Sequence, residues 1–232
     1  MKAQRLIRAL GPNGALRIHF GQWGEDVIIR KTFRKTAKRN SGFYMDVGAY
    51  HPFRQSNTAH LWCLGWNGVN VDANRRTIDV FNKVRRGDVN VWSAVVSDEV
   101  AASNETVSYY SQRNLDLEAT ILPEMAEERG RHKVEQVPCV SLRMLIDTYG
   151  PKAEDGIDFL NIDIEGLDED AVASVDQWST LPRVIAIETY ARTIPDVLET
   201  GIHRHLTAAG YDYRHQIGLT SIYVHQSATE LA

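Results

Sequence analysis

The chain has 232 residues, enough to bury one full core. Its composition, 43 % hydrophobic and 24 % charged, is that of an ordinary soluble globular protein. No stretch approaches the ~20 apolar residues of a membrane span, so no membrane span is expected. The first twenty residues have neither a sustained apolar run nor a small-residue cleavage site, so the expected location is cytoplasmic. Cys63 and Cys139 lack metal-type spacing and read as reduced thiols. The net charge of −4 is uneven: residues 1–40 carry ten Lys/Arg against Glu25 and Asp26, or +8, leaving −12 on the rest. Without interleaved aromatics that basic arm reads as a solvated face rather than a nucleic-acid site.

Residues 1–40 are expected to form a basic helical segment packed on a core domain of 41–232. Within the arm, 24–37 place acids first and bases last, an order that suits a helix dipole. From Phe43 short apolar runs alternate with amphipathic stretches. Strands are predicted at 43–49, 69–72, 89–96, 157–164 and 183–189, and helices at 56–64, 75–84, 168–178 and 195–208. Pro195 suits the first turn of the last helix. The tail ends in two strand-like pieces, 211–217 and 220–225, with Gly218 between them. So short a link forces an antiparallel pair. The predicted fold class is therefore α/β: a Rossmann-like, mostly parallel seven-stranded sheet with a C-terminal antiparallel hairpin and helices on both faces. Residues 97–141 interrupt the alternation and read as an insertion over the carboxyl edge of the sheet.

Three groups of residues at strand ends carry chemistry. The first strand closes on Asp46-Val47-Gly48-Ala49. Gly48 permits a sharp turn and close approach of a ligand. A carboxylate at Asp46 repels a pyrophosphate and suits a cationic group, such as the amino group of a methionine moiety. The G-x-G-x-x-G phosphate cradle is missing, since Ala49-Tyr50-His51-Pro52 follows. Asp72 ends the second strand, where an acid can accept hydrogen bonds from ribose hydroxyls; Asn74 is free to cap the next helix in its place. Ser93 and Ala94 fall where an adenine would pack. The run Asn161-Ile162-Asp163-Ile164-Glu165-Gly166 alternates apolar and acidic, so Asp163 and Glu165 are expected to point the same way. Glu188 ends the neighbouring strand. Carboxylates gathered at one rim call for a cation, a shared proton or a reaction.

These segments (YMDVGAY, GWNGVNVDAN, WSAVVSD, FLNIDIEG and RVIAIE, with Gln22-Trp23-Gly24-Glu25-Asp26 upstream) resemble the FkbM-type methyltransferases over residues 20–225. The resemblance implies a class I methyltransferase fold, S-adenosylmethionine as the methyl donor, and O-methylation of sugar, glycan or natural-product hydroxyls. Position by position it implies cofactor contacts at Asp46, Gly48, Ala49, Asp72, Ser93, Ala94 and Asp163. Asp163 to Gly166 match the family's K-x-D-x-E-G element, except that Asn161 stands where the Lys is usual.

The expected chemistry is an in-line methyl transfer in which positioning does much of the work and a base draws off the hydroxyl proton. Glu165 is the expected base and His51 its rival, with Asp163 and Glu188 as candidate ligands of Mg²⁺ or another divalent cation. Arg54, Gln55, Asn57, Thr58 and the insertion are candidate contacts for the hydroxyl acceptor, and Trp23 is the tryptophan expected at the rim. A homo-oligomer is compatible with the sequence. Two other classes compete. A non-catalytic S-adenosylmethionine- or nucleotide-binding module predicts a rim without paired acids. An NAD-dependent sugar-nucleotide oxidoreductase predicts a glycine-rich loop and a Tyr-x-x-x-Lys pair, both missing from the sequence.

Overall fold

Alternation of side chains along the central strands builds the two faces of the sheet. In β1 (Phe43–Val47), Met45 and Val47 enter one apolar cluster while Tyr44 enters the other; in β7 (Phe159–Ile162) and β8 (Val184–Glu188), Leu160, Ile162, Ile185 and Ile187 oppose Phe159, Val184 and Ala186. Strands apolar on both faces need cover on both. The computed structural model describes residues 19–33, 41–112, 116–151, 156–228 and 231. Most of the basic arm expected in 1–40 lies outside the described residues; within it, α1 is Glu25–Phe33.

The remaining elements, in chain order, are α2 (Ala59–Cys63), β2 (Asn67–Asp72), α3 (Arg75–Val84), β3 (Val89–Trp92), β4 (Ala94–Val96), α4 (Asp98–Ser103), β5 (Thr106–Ser111), α5 (Pro123–Glu128), β6 (Lys133–Ser141), α6 (Leu142–Tyr149), then β7, α7 (Asp168–Val172), β8, α8 (Ile194–Glu199), α9 (Gly201–Ala208), β9 (Tyr211–Ile217) and β10 (Thr220–His225). The main sheet has the order β3-β2-β1-β7-β8-β10-β9. All neighbours run parallel except β10, which is antiparallel to both β8 and β9. This is the Rossmann-like sheet with its closing hairpin. The strand order reverses between β1 and β7, and a ligand of such a sheet sits in the crevice at that reversal. No helix among the described residues is long and apolar enough to cross a membrane.

Three departures from the sequence reading have local causes. The third strand divides at Ser93, whose N–H donates to the Asp72 carbonyl and whose hydroxyl donates to the Pro138 carbonyl. β3 stays in the main sheet, whereas β4 leaves it to pair with β6 in a second sheet, ordered β4-β6-β5. The predicted helix over 195–208 divides at Thr200, whose side chain accepts the His203 N–H and starts α9 afresh. The polar segment 97–141 forms α4, α5 and two long antiparallel strands, β5 and β6.

Candidate active site

A cavity opens at the carboxyl ends of β1, β2 and β7. Its floor is Gly48, held at φ +79°, where any Cβ would collide with the Asp163 carbonyl. Only glycine lets the two strand ends approach so closely. Asp72, Asn74 and Thr77 form one wall; Ser93, Ala94 and Tyr109 another; Thr120 and Ile121 of the inserted segment close the top. Among the described residues, four acids line the cavity (Asp72, Asp116, Asp163 and Glu165) and no Lys or Arg does. Arg131 engages Asp116 from outside at 3.0 Å.

Asp72 ends β2 and lines the cavity. Its two oxygens accept the N–H groups of Tyr50 at 2.8 Å and Asn74 at 2.6 Å, while the Asn74 side chain caps α3 by accepting the Arg76 N–H. Burial pushes the Asp72 pKa up to about 6 against those two bonds. Gly48, Ser93, Ala94 and Asp163 also line the cavity. Asp46 and Ala49 do not. Asp46 is 1 % exposed, on the opposite face of the sheet from Met45 and Val47, and is held by the Thr58 hydroxyl and by Asn161 Nδ2 at 3.0 Å. Burial raises its pKa, and Arg85, Thr58 and Asn161 oppose the rise. Ala49 is buried, with its N–H spent on the Val71 carbonyl.

Asn161 bridges Asp46 and Asn57, so Asn57 and Thr58 belong to this buried network. The cation near Asp46 is instead Arg85, fully buried and donating to Tyr44, Thr58, Asn70, Ser56 and the Pro52 carbonyl. Arg54 and Gln55 are exposed on the turn above it.

The three rim acids do come together. One carboxylate oxygen each of Asp163, Glu165 and Glu188 lies within 4.8 Å of the others. The simple strand alternation does not produce this, because β7 ends at Ile162 and Glu165 turns back at φ +53°. Glu165 is already engaged: Oε2 accepts Arg129 Nη1 at 2.7 Å and the Tyr190 hydroxyl at 3.0 Å. Tyr190 also bonds the Glu188 carboxylate, but Glu188 Oε2 is buried without a hydrogen-bond partner. Burial first, then the Asp168 and Glu165 carboxylates, push the Glu188 pKa up to about 7. Asp163 opens onto the cavity, yet withdrawal from bulk water and the nearby Glu188, Asp168 and Glu165 carboxylates raise its pKa well above its ordinary value.

His51 does not fit the role of rival base. Its Nδ1 accepts the backbone N–H groups of Phe53 and Arg54, both at 3.1 Å, which leaves the ring without a free lone pair when Nε2 carries the proton. Burial, Arg54 and Arg85 also lower its pKa. Sequence reasoning missed Tyr109, Thr120, Arg129 and Tyr190. The first three come from the insertion, which has no helical or strand period to locate them. Tyr190 follows β8 directly, so its closeness to the Glu188 strand end was a usable signal. Trp23 is 63 % exposed and rests against Gly218 in the β9–β10 turn.

No protein-family model matches the sequence, and no curated protein matches it. Solved structures with a similar shape include the methyltransferase FkbM from Methylobacillus flagellatus KT, at 14 % identity and TM-score 0.47 over 80 % of this chain and 44 % of that one. This chain therefore spans less than half the length of that protein. A TehB-like SAM-dependent methyltransferase from Corynebacterium glutamicum ATCC 13032 Kitasato follows at 11 % identity and TM-score 0.43, covering 97 % of this chain and 96 % of that one. The O-methyltransferase from Bacillus cereus in complex with SAH is similar at 13 % identity and TM-score 0.35, over 95 % and 88 % of the two chains. These neighbours are all methyltransferases, including an FkbM. The Rossmann-like architecture of this chain rests on its own strand order.

Proposed function

We propose that this chain is an S-adenosylmethionine-dependent methyltransferase acting on a hydroxyl oxygen of a sugar, glycan or natural product. The observation that carries the reading is the charge of the cavity. Among the described residues the cavity is lined by four acids and by no Lys or Arg. Asp116 and Glu165 are paired with Arg131 and Arg129 from outside it. The remaining carboxylates, Asp72 above all, disfavour a dinucleotide pyrophosphate and favour a nucleoside that carries positive charge in this cavity. Within it, Asp72 has the position and acceptor capacity for ribose hydroxyls, Ser93, Ala94 and Tyr109 offer a slot for a base, and Gly48 with Asp163 would receive the amino-acid end. Bound there, S-adenosylmethionine supplies a methyl group made electrophilic by its sulfonium.

The remaining requirement is a base. Glu188 meets it better than Glu165, because its Oε2 is unpartnered and its pKa lies at about 7. Glu165, tied by Arg129 and Tyr190, instead fixes the shape of the rim beside it. A second reading, with Mg²⁺ held by Asp163, Glu165 and Glu188, is favoured by their 4.8 Å grouping; the ion would lower the pKa of the acceptor hydroxyl. Arg129 already supplies a positive charge to Glu165, which weakens the need for it.

Release of S-adenosylhomocysteine in the presence of a panel of sugars, glycosides and natural-product alcohols tests the reading. Turnover is expected to fall by roughly 10²–10⁴ in Glu188→Gln and to change little in His51→Ala. Full turnover in Glu188→Gln removes the base assignment. Turnover abolished by EDTA and by Asp163→Asn alike favours the metal at the rim.

A further inference from the structure

The first turn of α1 plays no part in that reaction, yet it buries two acids side by side. Glu25 and Asp26 are 2 % and 0 % exposed. Some of their oxygens have partners: Glu25 Oε2 accepts the Trp23 N–H at 2.8 Å, and Asp26 Oδ2 accepts the Phe20 N–H at 2.7 Å and lies 2.7 Å from His60 Nδ1. Asp26 Oδ1 and Asn57 Oδ1 have none, although both atoms are buried. These orphaned oxygens point at one place. A Cβ built on Gly21 would lie 2.5 Å from Glu25 Oε2, 3.0 Å from Asn57 Oδ1 and 3.1 Å from Asp26 Oδ1.

Three acceptor oxygens, two of them from carboxylates, thus converge beside Gly21, where a side chain would collide with them. A buried carboxylate oxygen without a donor is strongly unfavourable unless a cation compensates it. A donor set made only of oxygen, from two carboxylates and an amide, is that of a hard cation with flexible geometry.

We propose that Glu25, Asp26 and Asn57 form a binding site for a hard metal cation of the Ca²⁺ type. The ion fixes the 19–26 loop against the sheet. Its reach extends further through Asn57, whose Nδ2 donates to Asn161 at 2.9 Å, and Asn161 donates in turn to Asp46 at 3.0 Å beneath the cavity floor. On the other side the loop carries Trp23 onto the turn at Gly218. The site is separate from the rim of Asp163, Glu165 and Glu188, and it stands whether or not the chain is a methyltransferase.

Terbium luminescence on the full chain, excited through tryptophan and competed with CaCl₂, MgCl₂ or NaCl, reads the site directly because Trp23 adjoins Glu25. Gly21→Ala places a methyl among the three oxygens, and Asn57→Ala removes the neutral donor while keeping both acids. Each is expected to weaken terbium binding by about tenfold or more, with Ca²⁺ competing best, while Glu188→Gln leaves binding unchanged. Melting in CaCl₂ is expected to rise for the wild type and not for Gly21→Ala. The proposal is overturned by a wild type that neither binds terbium nor gains melting temperature in CaCl₂. It is equally overturned by terbium binding that survives Gly21→Ala and Asn57→Ala but is lost in Glu188→Gln, which would locate the ion at the rim. Melting curves of the variants without metal check that both still fold.

Discussion

At Glu188 burial and two carboxylates, Asp168 and Glu165, act against ionisation, while Tyr190 and Arg129 act for it. The balance leaves a group that titrates at about 7, so turnover is expected to rise with pH through that value in a profile of kcat against pH, and the rise is expected to vanish in Glu188→Gln. The same shift has a consequence for stability. The folded chain holds the Glu188 proton from pH 4.5 up to about 7, where the unfolded chain has released it. Ionised Glu188 therefore costs the fold stability, in full above about 7 and not at all below 4.5. Glu188→Gln is accordingly expected to melt higher than the wild type at alkaline pH and to match it at acid pH; a variant that melts lower throughout contradicts the assignment of its burial. The three rim acids were legible in the sequence because all lie at or just beyond strand ends. Their division of labour was not, because Arg129 and Tyr190, which tie up Glu165, are 36 and 25 residues away along the chain.

Among the elements, the Arg85 guanidinium joins β1, β2 and the 52–58 turn from the end of α3, bonding Tyr44, Asn70, Pro52, Ser56 and Thr58 and lying over Phe81 at 5.0 Å. Removing one partner of a buried charge network typically costs about 3–5 kcal/mol. Arg85→Leu is therefore expected to lose that amount in urea denaturation, whereas a loss below ~1 kcal/mol would mean that the network contributes little. Nothing in Lys83-Val84-Arg85-Arg86 marks Arg85 as the buried one, since a basic pair at a helix end reads as exposed. The apolar strands and the Gly218 hairpin were legible because each has a period or a turn residue of its own. The split at Ser93 was not, because β4 follows a partner, β6, that lies 45 positions on along the chain at its start. α6 was likewise unseen between the insertion and the β7 run, although Ser141 caps it by accepting the Met144 N–H.

For the whole molecule, residues 41–232 carry a net charge of −12, and four of their acids line the cavity. The basic arm that offsets it lies mostly outside the described residues. The sequence carries no glycine-rich phosphate cradle after Gly48, and its reading assigned the cation-facing acid to Asp46. Strand parity turns Asp46 away from the cavity, and Asp163 is the acid that faces it. The central claim, that this acid-lined cavity takes S-adenosylmethionine, is tested most directly by calorimetry. S-adenosylmethionine, S-adenosylhomocysteine and NAD⁺ would be titrated into the wild type and Asp72→Asn. The account predicts that both sulfur compounds bind the wild type, that Asp72→Asn weakens both by roughly tenfold for the lost ribose hydrogen bonds, and that NAD⁺ gives no heat of binding. Tight NAD⁺ binding with no response to either sulfur compound would contradict it.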